Sequence, residues 1–369
     1  MKTQFTKTLL IAAIICSPIS NSSNACTGIT LRSKDGAVVF GRTLEWGSFD
    51  LNSRLVVVPQ GYEYKSELPE GKHGLTWKTK YGAVGLDAVG KDLILDGMNE
   101  KGLSVNLFYH PGYAEYPAFD PSKSATTMGS LDFPQYLLTT CSSIEEIRAA
   151  LAKVHIVGVV EPSIGIESPI HVIATEPSGK AIVIEFTGDN VKIHEAPLGV
   201  LTNAPNYDWH TTNLRNYVNL SAVAIPSKKL EDLNFAPLGG GSGMIGLPGD
   251  FTPPSRFIRA VAFSKSARPT PTGTETMYEL FRILDNYNVP LGAAEGEASK
   301  SAIEGMRSAT LWTTAYDTKN LVMQYHTQHN RRVRQVDLKK IDFAQGGDLQ
   351  RLPLDQDKAQ DILDVTPKP

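Results

Sequence analysis

Ser23-Asn24-Ala25-Cys26-Thr27-Gly28-Ile29 is the stretch on which this chain turns. Everything before it has the marks of a leader, and everything after it reads as folded protein. Lys2 and Lys7 make a positive start, Leu9 to Cys16 form a short apolar segment, and Ser17-Pro18 breaks it. Ser23-x-Ala25 then supplies the small-x-small pattern of a signal cleavage site. Residues 1–25 are expected to be a removed signal peptide, so the protein is expected to be exported, periplasmic or secreted. A cut after Ala25 gives Cys26 a free α-amino group beside its thiol. A lipoprotein reading competes, because Cys16 follows an apolar run. But Ile15 is bulky where a small residue is needed, and position 23 before Cys26 is serine, not leucine. Acylation of Cys26 would also block its amine, so the two readings exclude each other.

The remaining composition is that of an ordinary globular protein. The chain is 41% hydrophobic and 20% charged, with a net charge of −3, so no basic excess points to nucleic acid and no acidic block to disorder. After the leader no apolar run reaches the ~18 residues of a membrane span. Of the three cysteines, Cys16 leaves with the leader. Two cysteines in an exported protein invite a disulfide. Two free thiols are expected instead, since a bridge would consume Cys26; Cys141, ending a helical-looking run, reads as a small core hydrophobe.

Outward from Cys26, Cys26–Arg32 and 37–42 are β-like and joined by Ser33-Lys34-Asp35-Gly36, a hairpin turn. Antiparallel pairing sets Arg42 and Thr43 opposite Thr27 and Cys26, with the register fixed only to within one residue. Leu44 and Glu45 then leave the strand near Cys26. One local fold thus gathers a thiol, a guanidinium and a carboxylate. Further strands are expected at 54–59, 92–98, 102–109, 170–175, 181–186, 309–316, 321–326 and 333–337. Helices are expected at 131–141, from the capping box Ser143-Ile144-Glu145-Glu146 to about 154, and at 206–220, 253–267 and 274–288. Strands, helices, strands, helices, strands is not the alternation of a parallel α/β fold; it suits two antiparallel sheets stacked between helices. There is no internal repeat and no strong linker, so one catalytic domain over 26–369 is expected, its polar, proline-containing tail from about 346 loose.

Several motifs have bland readings. Gly241-Ser242-Gly243-Met244-Ile245-Gly246 matches a dinucleotide fingerprint, but Leu247-Pro248-Gly249-Asp250 stops the helix that such a site needs. The eight histidines form no zinc spacing, and His326-x-x-His329 reads as a solvated turn. A Ser-His-Asp triad draws its members from anywhere, and nothing singles one out.

The chemistry of Cys26 is more specific. A thiol needs a base to become a nucleophile near neutral pH. An α-amino group, with a reference pKa of about 7.7–8.0, supplies one covalently tethered, and no partner histidine is required. Arg42 would favour the thiolate by charge, and Glu45 would orient the ammonium. Asn203, in Leu201-Thr202-Asn203-Ala204-Pro205, can donate to an oxyanion, although asparagines more often cap turns. Arg256 falls in a first helical turn, where a cation opposes the helix dipole and so hints at a separate role.

Taken together, Cys26-Thr27-Gly28, Phe40-Gly41-Arg42-Thr43-Leu44-Glu45-Trp46, 96–103, 200–205 and 246–259 resemble the choloylglycine hydrolase family of N-terminal-nucleophile (Ntn) hydrolases, which holds the bile salt hydrolases and penicillin V acylases. The resemblance implies an α+β, four-layer αββα sandwich and hydrolysis of a linear amide through a thioester, with no cofactor or metal. By position it implies Cys26 as nucleophile and its amine as base, Arg42 beside the thiolate, Asn203 and the Tyr109 backbone N–H as oxyanion donors, and Arg256 completing the cluster. Tyr109 stands where bile salt hydrolases typically have asparagine and penicillin V acylases tyrosine. This leans the expected substrate towards penicillin V-like or N-acyl-homoserine-lactone-like amides, with conjugated bile salts as the alternative and a non-catalytic binding protein on the same scaffold as a rival class. Residues 219–237 correspond to a segment that in relatives reaches a neighbouring subunit, so a homotetramer is expected. Glu45 departs from the family, which usually has aspartate there.

Overall fold

The computed structural model describes residues 25–188, 190–294 and 305–367. The expected leader, Cys16 included, lies outside them apart from Ala25. Fourteen strands build two antiparallel sheets: β1 (Cys26–Arg32), β2 (Val38–Glu45), β3 (Arg54–Val58), β4 (Ala83–Leu86), β5 (Asp96–Asn99), β6 (Ser104–Tyr109), β7 (Ile170–Thr175), β8 (Ala181–Thr187), β9 (Asn190–Glu195), β10 (Val200–Leu201), β11 (Thr310–Asp317), β12 (Val322–Thr327), β13 (Arg334–Asp337) and β14 (Gln350–Pro353). The six-stranded sheet runs β10-β1-β2-β11-β12-β13 and the eight-stranded sheet β9-β8-β7-β6-β5-β4-β3-β14. Helices α1 (Phe133–Thr140), α2 (Ile144–Leu151), α3 (Tyr207–Asn213), α4 (Pro253–Ser266) and α5 (Gly273–Leu284) complete the layers. α4 and α5 cover the outer face of the six-stranded sheet, and α1 packs on β5 and β6 of the other. This is the αββα arrangement expected from the order of elements.

β2 is buried along its whole length, because one face meets the helices and the other meets the second sheet. That is why it shows no polar–apolar alternation. Two glycines let the layers close. A Cβ on Gly28 would lie 2.8 Å from Phe108 Cζ and 2.9 Å from Phe40 Cζ, and one on Gly41 would lie 2.7 Å from Leu280 Cδ2 of α5.

The first hairpin is one residue longer than expected. Cys26 pairs with Leu44, Thr27 with Thr43, Gly28 with Arg42 and Arg32 with Val38. The loop therefore takes in Ala37, whose N–H is captured by Ser33 Oγ at 2.7 Å and Asp35 Oδ1 at 3.2 Å instead of entering the ladder. Directly opposed residues share a face, so Cys26, Gly28, Arg42 and Leu44 look towards the eight-stranded sheet, whereas Thr27, Thr43 and Glu45 look towards α4 and α5. The register expected from the sequence would have put Arg42 and Cys26 on opposite faces.

Other differences are smaller. Residues 92–95 form a loop before β5, and β4 and β9 add strands beyond those expected from the sequence. In the cap of α2, Ser143 Oγ accepts from Glu146 N as the capping box requires, but the Glu146 carboxylate takes the Ser142 N–H at 2.7 Å. Within the tail expected to be loose, β14 adds an edge strand to β3, anchored by Arg351 Nε to Asp92 Oδ1 at 2.6 Å.

Candidate active site

Cys26 opens β1, and its side chain lies between the two sheets. Arg42 Nη2 donates to Cys26 Sγ at 2.9 Å. The same fully buried guanidinium donates to the carbonyl of Leu107 on β6 and to that of Thr43, and it lies over the Phe108 ring at 4.3 Å and the Trp312 ring at 5.2 Å. Two aromatic faces and two carbonyls hold the cation without neutralising it, so its charge stays available to the sulfur.

The Cys26 nitrogen, still a peptide N–H to Ala25 in this structure, donates to Asn203 Oδ1 at 2.7 Å. Asn203 follows β10, the neighbour of β1 in the sheet. Its Nδ2 donates to the Tyr109 carbonyl at 2.7 Å, leaving one amide hydrogen for another acceptor. Arg256 Nη2 donates to Asn203 Oδ1 at 2.7 Å, its Nη1 to Thr27 Oγ1 at 2.9 Å and to the Cys26 carbonyl, and its Nε to the Phe251 carbonyl at 2.8 Å. The cation misplaced for the α4 dipole is therefore spent on Cys26, Thr27 and Asn203. Burial lowers Arg256 to about 10, against the pull of Glu45 and Cys26.

Tyr109 ends β6. The Leu107 N–H bonds to Leu95 O at 2.7 Å on one side of the strand, and the His110 N–H bonds to Pro169 O at 2.8 Å on the other. By strand alternation the Tyr109 N–H points to the Leu107 side, the side on which Asn203 reaches the Tyr109 carbonyl.

Glu45 is placed differently from expectation. It lies on the helix face of β2, and the Cys26 nitrogen goes to Asn203 instead. Glu45 Oε1 accepts from Thr310 Oγ1 at 3.0 Å, while its buried Oε2 has no partner among the described residues. Burial pushes Glu45 up to about 7, overcoming the opposing attraction of Arg256 and Arg42.

A cleft opens beside the thiol. Leu44, Leu51, Leu95, Leu107, Ile164 and Ile170 line it with Trp46 and Tyr109, which meet edge to face at 5.7 Å. Glu161 and Ser163 also line it, and Glu161 is paired with Lys91 at 3.0 Å. The arrangement offers a thiol with an adjacent cation, a nitrogen that cleavage would free, amide donors beside it, and an apolar wall. Among the described residues Cys141 is buried and free, as is Cys26. Thr310 and Trp312 are not singled out by the sequence; their one signal is a polar-rich strand, β11, Thr310–Asp317, which the structure buries throughout.

Known proteins share this architecture. The family model described as linear amide C-N hydrolases, choloylglycine hydrolase family, matches residues 26–355. A bile salt hydrolase/transferase from Clostridium perfringens is 33% identical over 318 residues, 85% of this chain and 93% of that protein. A penicillin V acylase from Pectobacterium atrosepticum is 27% identical over 336 residues, 86% of this chain and 81% of that protein. The crystal structure of a conjugated bile acid hydrolase variant from Clostridium perfringens superposes with a TM-score of 0.79 at 30% identity, covering 92% of this chain and 100% of that one.

Proposed function

The chain belongs to the choloylglycine hydrolase family of linear amide C-N hydrolases, and from that premise we propose that Cys26, freed at its nitrogen by cleavage after Ala25, hydrolyses acyl amides through a thioester. The supporting observation is that this nitrogen already bonds Asn203 Oδ1 at 2.7 Å while Arg42 bonds the sulfur at 2.9 Å. Cys26 thus carries a base and a nucleophile together, with Arg42 supplying the counter-charge.

In the proposed reaction the Cys26 thiolate, hydrogen-bonded by Arg42, attacks the amide carbonyl. The α-amine holds the thiol proton. Asn203 Oδ1 keeps the amine oriented, and the Arg256 charge beside it favours the neutral amine that can accept a proton. The free Nδ2 hydrogen of Asn203 and the Tyr109 N–H stabilise the oxyanion. The leaving amine takes the proton from the ammonium, and water, activated by the same amine, releases the acid. Glu45 acts from the far side of β2 on Arg256 in this scheme, with no bond to the amine.

The apolar lining with Trp46 and Tyr109 favours a hydrophobic acyl group, as in penicillin V or N-acyl homoserine lactones. Conjugated bile salts are the second reading, favoured by the bile salt hydrolase relatives. Export to the periplasm or medium follows from the expected signal. A homotetramer is proposed through residues 219–237, where Val223, Ile225, Leu230, Leu233 and Phe235 are exposed. The test is turnover of penicillin V, an acyl homoserine lactone and a glycine-conjugated bile salt, before and after iodoacetamide. Thiol-sensitive hydrolysis fastest on the first two is expected. Hydrolysis that survives alkylation would overturn the mechanism, and a protein inert on all three would favour the binding reading.

A further inference from the structure

Behind Asn203 lies a buried group of imidazoles around one carboxylate that the reaction does not use. Glu185 of β8 sits opposite His171 of β7, and both are fully buried. Glu185 Oε1 accepts the Tyr207 N–H at 2.7 Å and faces His171 Nδ1 at 3.5 Å; its Oε2 is 3.0 Å from His194 Nε2. Burial alone would raise Glu185, but the contacts from His171 and His194 outweigh it and hold the carboxyl well below the usual range.

A metal site is the obvious alternative, because ligand atoms of His110, His171 and Glu185 all lie within 4.8 Å of one another. The rings argue against it. His110 and His171 are stacked 4.1 Å apart and within 2° of parallel, so their in-plane lone pairs cannot meet at one ion about 2.0–2.1 Å from each.

The bonds leaving the group all go to one backbone segment. His171 Nε2 lies 2.9 Å from the Thr202 carbonyl, and since a carbonyl only accepts, that nitrogen carries the hydrogen. By the same logic His210 Nε2 donates to the Asn203 carbonyl at 2.9 Å. Glu185 holds the Tyr207 N–H at the segment's far end. Residues 202–207 are therefore gripped at both ends, at Thr202 and Asn203 on one side and at Tyr207 on the other, and Asn203 is the residue that bonds the Cys26 nitrogen. His110, stacked on His171, directly follows Tyr109, so the group also abuts the second oxyanion element.

We propose that His171 and Glu185 are positioning residues that fix residues 202–207, and through them hold the Asn203 amide on Cys26 and the oxyanion site. The inference rests on the hydrolase reading for its kinetic consequence but not for its structural one. Two variants separate a positioning role from mere packing. The glutamine introduced by His171→Gln has the reach to keep a donor on the Thr202 carbonyl; His171→Leu removes it. His171→Leu is expected to lower kcat at least ~10-fold with KM within about twofold, because a displaced oxyanion donor acts on the transition state more than on substrate binding. His171→Gln should recover most of that loss. Hydrogen exchange at the Tyr207 amide, read without any substrate, should quicken at least ~10-fold in His171→Leu and stay near wild type in His171→Gln. If His171→Leu does not fold, His171→Asn, too short to reach the Thr202 carbonyl, takes its place. Equal kcat losses in both variants, or unchanged Tyr207 exchange in the donor-less variant, would each overturn the proposal. A wild-type protein that hydrolyses no amide would sink the hydrolase reading alone, and the exchange measurement would still decide the positioning role.

Discussion

Glu45→Gln tests the electrostatics around Cys26 in a form that stability alone can read. In the folded protein burial pushes this carboxyl up to about 7 from a reference of 4.5. A carboxyl that binds its proton more tightly when folded loses stability as pH rises. The loss begins above the unfolded pKa and is complete above the folded one, so it falls between about pH 4.5 and 7. At about 1.36 kcal/mol per unit, the shift from 4.5 to about 7 amounts to ~3 kcal/mol. Glutamine mimics the protonated acid in size and keeps an oxygen for Thr310, but it does not titrate. It also forgoes the attraction to Arg256, which stays charged over the range with its value of about 10; that attraction exists only for the ionised carboxylate and is already contained in the Glu45 value of about 7. The offset between wild type and variant at one pH is therefore uninformative, while its change with pH isolates Glu45. Urea unfolding at pH 4.5 and 8.5 should show Glu45→Gln gaining ~3 kcal/mol on the wild type across that interval, or ~1–2 kcal/mol if relaxation softens the burial penalty. A difference that stays constant, or that moves in favour of the wild type at high pH, would refute the reasoning and would mean that Glu45 is a paired carboxylate.

Three other substitutions probe the remaining parts. Arg42→Leu removes the charge beside Sγ, so alkylation of Cys26 and kcat/KM should fall together, kcat/KM by about 100-fold; a slower turnover with wild-type alkylation would separate Arg42 from the thiol. Asn203→Ala should lower kcat by about 10²–10³ with a much smaller change in KM, measured by steady-state kinetics on the best amide; an unchanged kcat would remove Asn203 from the oxyanion site. Gly28→Ala forces a Cβ to 2.8 Å from Phe108 and 2.9 Å from Phe40, and should cost ~1–3 kcal/mol in urea unfolding; no loss would mean that the two sheets are less tightly closed than described.

The fold was legible in the order of its elements because the long helices and strands carry their own periodicity. The four residues of β4 and the polar edge strand β9 carry too little, and their pairing partners decide them. At the site, Cys26 was legible from the cleavage pattern and Arg256 from a cation at the wrong end of a helix. The facing of Arg42 and Glu45 was not. It depends on Ser33 and Asp35 side chains capturing one backbone N–H, a contest between local bonds that strand propensity does not register. Because a slip of one residue exchanges the two faces, this loop decides that Arg42 meets the thiol and that Glu45 meets the helices. The imidazole–carboxylate group was invisible for another reason. His171 and Glu185 share the β7–β8 hairpin, but His110 follows β6 and His210 lies on α3, and only the tertiary packing of these elements beside β10 brings the four behind Asn203.

The central claim is that the base does not exist until Ala25 is removed. The most direct test compares two forms of the same protein, one beginning at Cys26 and one retaining Ala25, each defined by intact mass and N-terminal sequence and each shown to be folded. The account predicts thiol-dependent amide hydrolysis in the form that begins at Cys26 and at most a trace in the other. Equal hydrolysis by the form that keeps Ala25 would contradict it.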